Sequence, residues 1–272
     1  MGSRFNFSYQ HTKAQNIVFP LYISNKNPVT VYFEMPFTRT LLPPISIIEE
    51  NTFLIQDRKD YIIAGIVFGS LLIMLLYNLS LSILLMNKTY FYYSCYVTTV
   101  FMYLLPLKGL AFYKIFDDLP YFKTYGCSIA ACLSFISAIL FFNSFLELKK
   151  RGGWLYFINC SALLGWMILL LPTLFLNPTV LEQTISIAAI LTCLAATIVA
   201  VKLALEKNIM AIIFLVAWSF VLFGTIILIL MNFGIVPNNS FTNNLQMFGV
   251  VLEMTLLSFA LALRINTEKT QR

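Results

Sequence analysis

Long apolar segments separated by short polar connections make up most of the chain after its first 60 residues. Seven such segments occur, at residues 61–86, 90–107, 125–146, 154–176, 184–205, 209–231 and 245–263. A helix needs about 20 residues to cross the hydrocarbon core of a bilayer. These segments are apolar on every side, and their backbone groups must be paired internally in lipid, so helices are predicted rather than barrel strands. The pattern therefore predicts a membrane all-α fold, a bundle of seven transmembrane helices.

The first 56 residues follow a different pattern. Short runs rich in Ile, Val, Tyr and Phe occur at 17–24, 30–35 and 45–51, with turn residues between them. Such runs predict strands. A few strands without a second sheet cannot bury a sound core. We therefore expect residues 1–56 to be the C-terminal part of an extracellular β-sandwich domain, with a small strand-rich cap on the bundle as the alternative.

The ends of the chain suggest a piece of a longer protein. The N-terminus lacks the apolar core of a signal peptide. Residues 57–265 are expected to form the transmembrane domain, and residues 266–272 are expected to begin a polar helical linker. We therefore expect both ends to be truncated.

Composition supports the membrane prediction. The 272 residues are 59% hydrophobic and only 11% charged, whereas soluble domains average about 45–50% apolar and about 25% charged residues. A disordered chain would be charged and poor in aromatic residues. The five cysteines all lie in apolar stretches without a C-x-x-C motif. They are predicted to be small buried residues with no disulfide or metal role.

The net charge of +6 is distributed unevenly. One set of connections and the tail hold most of the basic residues: Lys88, Lys149, Lys150, Arg151, Lys202, Lys207, Arg264, Lys269 and Arg272. The opposite loops at 177–183 and 232–244 contain neither Lys nor Arg. Because cytoplasmic loops are enriched in basic residues, the N-terminus is predicted outside and the C-terminus inside.

A few polar residues within the spans are candidates for function. Glu253 lies near the middle of the seventh segment, where a charge is costly, so we expect it to be protonated or hydrogen-bonded. It is either a coupling residue for a proton or ligand, or a neutral carboxylic acid that joins helices. Tyr77 and Asn78 in the first segment are the other predicted coupling residues, since buried amides bond between helices.

Small residues in two segments predict close helix packing. Gly65-x-x-x-Gly69 in the first segment is a close-approach motif. Gly249 in the seventh segment is a third predicted packing residue. The tyrosine-rich run at 90–96 is expected to belong to the aromatic belt at the inner membrane interface.

Signatures of enzymes are lacking in the sequence. The one histidine, His11, lies in the N-terminal polar region. Metalloprotease, nucleophile-elbow and phosphate-loop motifs do not occur. Basic residues are spread over several loops and form no footprint for nucleic acid. We therefore predict a protein that is not an enzyme, with no cofactor, no metal site and no nucleic-acid partner.

A series of motifs follows in order along residues 58–266: Gly65-x-x-x-Gly69 with Leu76-Tyr77-Asn78-Leu79, Tyr90, Tyr92 and Tyr93, Lys108-Gly109, Phe145-Leu146-Glu147-Leu148, Trp218 and Gly224, Gly234-Ile235-Val236-Pro237, and Gly249 and Glu253 leading into 256–265. By these motifs the helical part resembles the bacterial seven-transmembrane receptors with diverse intracellular signalling modules. The resemblance implies that residues 57–265 are a transmembrane sensor domain, that 266–272 begin a cytoplasmic linker, and that the output module is absent from this chain. One departure is Ala262-Leu263-Arg264, where the family often has Ala-Asp-Arg.

The resemblance implies a sensory receptor of the bacterial inner membrane. Family members place a β-sandwich, often similar to carbohydrate-binding domains, before the helices, and a kinase, cyclase or phosphatase after them. The expected partners are therefore the lipid bilayer, an extracellular ligand of carbohydrate type, a cytoplasmic signalling module and a second copy in a homodimer. Arg264 is the predicted connection to the output module. A transporter or channel is the main alternative, and a membrane-embedded enzyme or assembly scaffold is a third.

Overall fold

The computed structural model describes residues 18–19, 21, 30, 47–107, 120–174, 176–232, 235–237 and 239–270. Among these residues the regular elements are helices. The long ones are α1 (Glu50–Leu85), α2 (Lys88–Leu107), α3 (Pro120–Phe145), α4 (Gly153–Leu169), α5 (Pro178–Leu205), α6 (Ile209–Asn232) and α7 (Ser240–Thr270). A single helical turn at Leu148–Arg151 joins α3 to α4, and a 3₁₀ turn at Leu171–Leu174 follows α4.

Asparagine marks the start of four of these helices. The side chains of Asn87, Asn177, Asn208 and Asn239 each accept a hydrogen bond from a backbone N–H in the first turn of the helix that follows. The first N–H groups of a helix lack partners within it, and an asparagine side chain supplies one. Short polar connections thus end one helix and begin the next, which produces the antiparallel bundle.

Six of the described helices are long and apolar enough to cross a membrane: α1, α3, α4, α5, α6 and α7. The prediction of apolar helices at these six positions is confirmed. α2 is a helix of 20 residues, as predicted. Its first half is rich in tyrosine, and the mean hydropathy of its most apolar stretch is lower than in the other six helices. Pro106 lies in the last turn of α2, so its missing backbone N–H interrupts the helical hydrogen bonds only near the end of the helix.

The bundle exposes large apolar side chains on its outer surface and buries a smaller set of polar side chains within its apolar interior. Large aliphatic residues such as Ile66 and Ile73 are exposed, the latter by 70%. The buried polar residues are Asn78, Ser82, Thr89, Ser94, Ser128, Ser134, Ser137, Asn159, Thr173, Asn244 and Glu253. An apolar surface this extensive is suited to lipid and not to water.

Two hydrophobic clusters form the core. The larger joins all seven long helices, and the smaller joins α3, α4 and α5 around Trp166. The Trp166 ring stacks on Phe135 at a centroid distance of 4.3 Å, and its indole N–H donates to Thr192. The most extensive helix contacts are those of α6 with α7 and of α2 with α3.

A helix begins where the last strand was predicted. α1 begins at Glu50, so residues 50 and 51 of the predicted strand at 45–51 are helical. The predicted domain boundary at 56–57 lies inside the same helix. Glu50 provides a negative charge in the first turn, which favours helix formation through the helix dipole. Residues 18, 19, 21 and 30 have no regular structure, and the rest of the predicted β-sandwich segment lies outside the described residues.

Candidate functional site: polar contacts along the last helix

Glu253 occupies the interior of the bundle, with 2% of its surface exposed. The Tyr96 hydroxyl on α2 donates to its two carboxylate oxygens, at 3.2 and 3.4 Å. A hydroxyl donor so close to a buried carboxyl group satisfies part of its hydrogen-bonding capacity. Glu253 thus joins α7 to α2 through the Tyr96 hydroxyl.

Tyr93 forms a second bond between α2 and α7, one helical turn from Tyr96. Its hydroxyl donates to the backbone carbonyl of Met254. Both tyrosine rings also face Phe141 of α3, with centroid distances of 5.2 Å for Tyr93 and 6.2 Å for Tyr96. Tyr90, Tyr93 and Tyr96 are all buried, so the prediction of an interfacial aromatic belt is wrong for them. Their spacing of three residues is the helical signal that points to one buried face.

Asn78 forms the corresponding bond between α1 and α7. It is completely buried. Its side-chain nitrogen donates to Ser258 Oγ at 3.0 Å and to the Met74 carbonyl at 2.8 Å, and the Ser258 hydroxyl can donate in return at 3.2 Å. The amide therefore uses both its donor and its acceptor. At the N-terminal end of α7, Asn244 donates to Asp60 of α1 at 3.2 Å.

Tyr77 does not join this set, although it is the neighbour of Asn78 in sequence. Its side chain is 54% exposed on the outside of α1. Adjacent helical residues point about 100° apart, so Asn78 and Tyr77 cannot both face α7. The structure therefore buries Glu253 and Asn78 in contacts between helices and leaves Tyr77 at the outer surface.

The predicted packing glycines also differ in whether they lie against another helix. A Cβ atom at Gly249 would lie 2.5 Å from the Phe220 carbonyl oxygen, and one at Gly224 would lie 2.7 Å from the Gln246 Cα atom. These glycines let the backbones of α6 and α7 approach closely. At Gly65 and Gly69 a Cβ atom would meet no described atom within 4 Å. The Gly65-x-x-x-Gly69 motif thus packs no other described helix.

Arg264 holds the C-terminal part of α7 against the end of α3. One guanidinium nitrogen donates to the backbone carbonyls of Ser144 and Phe145, at 3.1 and 3.0 Å, and the other forms an ion pair with Glu147. The Arg264 side chain is only 16% exposed. The motif at 145–148 was noted in the sequence, but nothing there indicated that Arg264 would reach it.

α7 is therefore hydrogen-bonded to four other helices along its length: α1, α2 near the middle, α3 at the C-terminal end, and α6, where Gln246 donates to Thr225 at 3.4 Å. In the described ranges, no group of three His, Cys, Asp or Glu residues could hold a metal ion. The arrangement does not assemble a nucleophile with a base. It fixes the position of one helix by a small number of specific polar contacts.

A comparison with family models matches residues 60–264 to the family described as 7TM diverse intracellular signalling. The chain belongs to this family. It therefore contains a multi-pass transmembrane sensory domain of a type linked to intracellular signalling. No curated protein and no solved structure matches the chain.

Proposed function

We propose that the chain is the receptor unit of a signalling protein, in which α7 relays an extracellular event to a cytoplasmic output module. The side-chain hydrogen bonds of α7 to its neighbouring helices are the observation that supports this proposal. Glu253, Asn78 and Arg264 each link α7 to a different helix. A change in packing elsewhere in the bundle therefore reaches α7 through named contacts.

The relay is a population shift between two packings of the bundle. A ligand changes the output only by binding one packing more strongly than the other. The buried polar contacts are suited to such a change because each has a definite partner. An alternative packing must replace each partner or leave a polar group unpaired in an apolar interior, which makes intermediate positions of α7 unfavourable.

We further propose that the protein lies in a bacterial inner membrane, with its N-terminus outside and seven spans that include α2. The distribution of basic residues supports this orientation. The end of the bundle that holds Arg264 also holds Lys88, Lys149, Lys150, Arg151 and Lys207. Basic residues are enriched on the cytoplasmic side. The proposed partners are the bilayer, an extracellular ligand, a kinase or cyclase module after α7, and a second copy in a homodimer.

A reporter fusion tests the relay without knowledge of the ligand. A cytoplasmic kinase or cyclase module is joined after Thr270, and one to four alanines are inserted at the junction. Each residue rotates the module by about 100° relative to α7. We expect basal output to vary with a period of about 3.6 inserted residues. An output that falls steadily with insert length, or does not change, contradicts a relay through α7.

The substitution Glu253→Gln in this fusion tests the central contact. The amide retains the shape of the side chain but has one acceptor oxygen for the Tyr96 hydroxyl where the carboxyl group has two. We expect a change in basal output of about fivefold. Glu50→Gln is the matched control, because Glu50 is exposed at the start of α1. Unchanged basal and stimulated output removes Glu253 from the mechanism, and solute flux in proteoliposomes would favour a transporter.

A further inference from the structure

The C-terminal end of α3 has backbone carbonyls that its own helix does not satisfy. The last four carbonyl groups of any helix lack an intrahelical donor. Here the chain leaves the helix abruptly, because Glu147 adopts a left-handed conformation with φ of 53°. The Ser144 carbonyl accepts only a long bond of 3.4 Å from the Glu147 N–H. Arg264 supplies donors to this carbonyl and to the Phe145 carbonyl.

The geometry of Arg264 is that of a helix cap provided by another helix. A guanidinium is planar, always charged, and presents several N–H groups in a fixed fork. It can therefore hold two carbonyls and a carboxylate together. A positive charge at a helix C-terminus also interacts favourably with the helix dipole. The Glu147 carboxylate has a second cationic partner besides Arg264, because the Lys150 ammonium group donates to it at 2.9 Å.

The capped end is bonded in turn to α2. The Ser144 hydroxyl lies 2.7 Å from the Thr89 hydroxyl, in the first turn of α2. Tyr93 and Tyr96 follow on the same helix and bond to α7 at Met254 and Glu253. The contacts thus form a closed circuit from α7 to α3, from α3 to α2, and from α2 back to α7. On α7, Arg264 lies about 16 Å along the helix axis from the contacts at Glu253 and Met254.

We propose that Arg264 caps α3 in trans and that this cap, the Arg264 latch, holds the resting position of α7. The latch consists of Arg264 and the Ser144 and Phe145 carbonyls, and the ion pair with Glu147 lies beside it. This inference rests on the proposed function of α7 as the relay. Movement of the C-terminal part of α7 must release the α3 carbonyls, whereas a rearrangement near Glu253 alone need not. The latch therefore sets how much of the population is released without a ligand.

A trans cap and a simple ion pair predict different results for substitutions. If the carbonyls dominate, Glu147→Gln leaves the latch almost intact, whereas Arg264→Ala abolishes it. Arg264→Lys is a weak substitute, because an ammonium group does not span the same fork of acceptors. The exchange Arg264→Glu with Glu147→Arg preserves the ion pair but places a carboxylate against two carbonyls, so it does not restore the cap.

Hydrogen–deuterium exchange on the full chain in nanodiscs measures the latch directly. We expect Arg264→Ala to accelerate exchange of the amides at 142–152 by about tenfold, because the end of α3 opens more often. The amides of α4 at 156–166 provide an internal control and should not change. Glu147→Gln should remain within about twofold of the natural sequence, and the double exchange should resemble Arg264→Ala. Restoration by the double exchange, or no acceleration in Arg264→Ala, overturns the proposal.

The same variants in the reporter fusion separate this inference from the proposed function. We expect basal output to change by about tenfold in Arg264→Ala and by less than twofold in Glu147→Gln. Faster exchange without any change in output supports the trans cap but contradicts its role in signalling. A change in output without faster exchange contradicts the latch and leaves the relay through α7 in place. Arg264→Lys serves as the second variant if Arg264→Ala does not fold.

Discussion

Replacement of Gly249 by alanine should separate α6 from α7. The new Cβ atom would lie 2.5 Å from the Phe220 carbonyl oxygen and 3.0 Å from its carbonyl carbon, whereas ordinary contacts begin at 3.4 Å. The neighbour is backbone, so no side chain can rotate away. The two helices must therefore shift by roughly 1 Å at this point, which affects the most extensive contact in the bundle.

The free energy of unfolding should fall as a result. Overpacking in a close-packed interior typically costs about 1–3 kcal/mol. Alanine is a better helix former than glycine by about 0.5–1 kcal/mol, which offsets part of this cost. We therefore expect a net loss of about 1–2 kcal/mol for Gly249→Ala. Gly65→Ala is the matched control, since its Cβ atom meets no described atom, and it should lose nothing or gain up to about 1 kcal/mol.

Steric trapping of the full chain in bicelles measures both variants by the same method. The difference between them should be about 2 kcal/mol, or roughly 25-fold in the unfolding equilibrium. Gly224→Ala should behave like Gly249→Ala, because its Cβ atom would lie 2.7 Å from the Gln246 Cα atom. Equal stability of the Gly249 and Gly65 variants would show that the close contact between α6 and α7 does not control stability.

Two further contacts can be tested by double-mutant cycles on the free energy of unfolding. Asn78→Ala and Ser258→Ala should show a coupling energy of about 0.6–1.7 kcal/mol, and additive effects of this pair would contradict the bond between α1 and α7. Tyr77→Phe is the control at the exposed neighbouring position and should change the free energy of unfolding by less than about 0.5 kcal/mol. Trp166→Phe and Thr192→Val should each cost about 1 kcal/mol, and the double variant should cost no more than the larger single effect, whereas full additivity contradicts the indole–hydroxyl bond of 2.9 Å.

Many features of the fold follow from the sequence because lipid restricts the alternatives. A long segment that is apolar on every side has to be a helix in a membrane. This argument placed six membrane-capable helices and α2 close to their observed positions. It did not predict the start of α1 at Glu50, because the requirement for a helix in lipid applies only to the apolar span and not to the polar residues before it. The short runs rich in Ile and Phe were then interpreted as strands up to residue 51.

The candidate site could be predicted only in part. Glu253 and Asn78 stood out because polar residues are rare in these segments, and both are buried. Their partners Tyr96 and Ser258 did not stand out, because tyrosine and serine also occur at lipid interfaces and within helices as ordinary residues. Tyr77 was predicted as a coupling residue from its position beside Asn78, although its side chain faces outward.

The sequence by itself determined the chemical class of each segment, because hydrophobic length and polarity are local properties. Only the tertiary structure decided which helices meet. Gly65 and Gly69 have the more familiar spacing, yet Gly224 and Gly249 are the glycines at which two backbones touch. Arg264 reaches the end of α3 because the bundle brings residues more than 100 positions apart into contact. Contacts of this kind depend on helix rotation and order in the bundle, and no single segment specifies either.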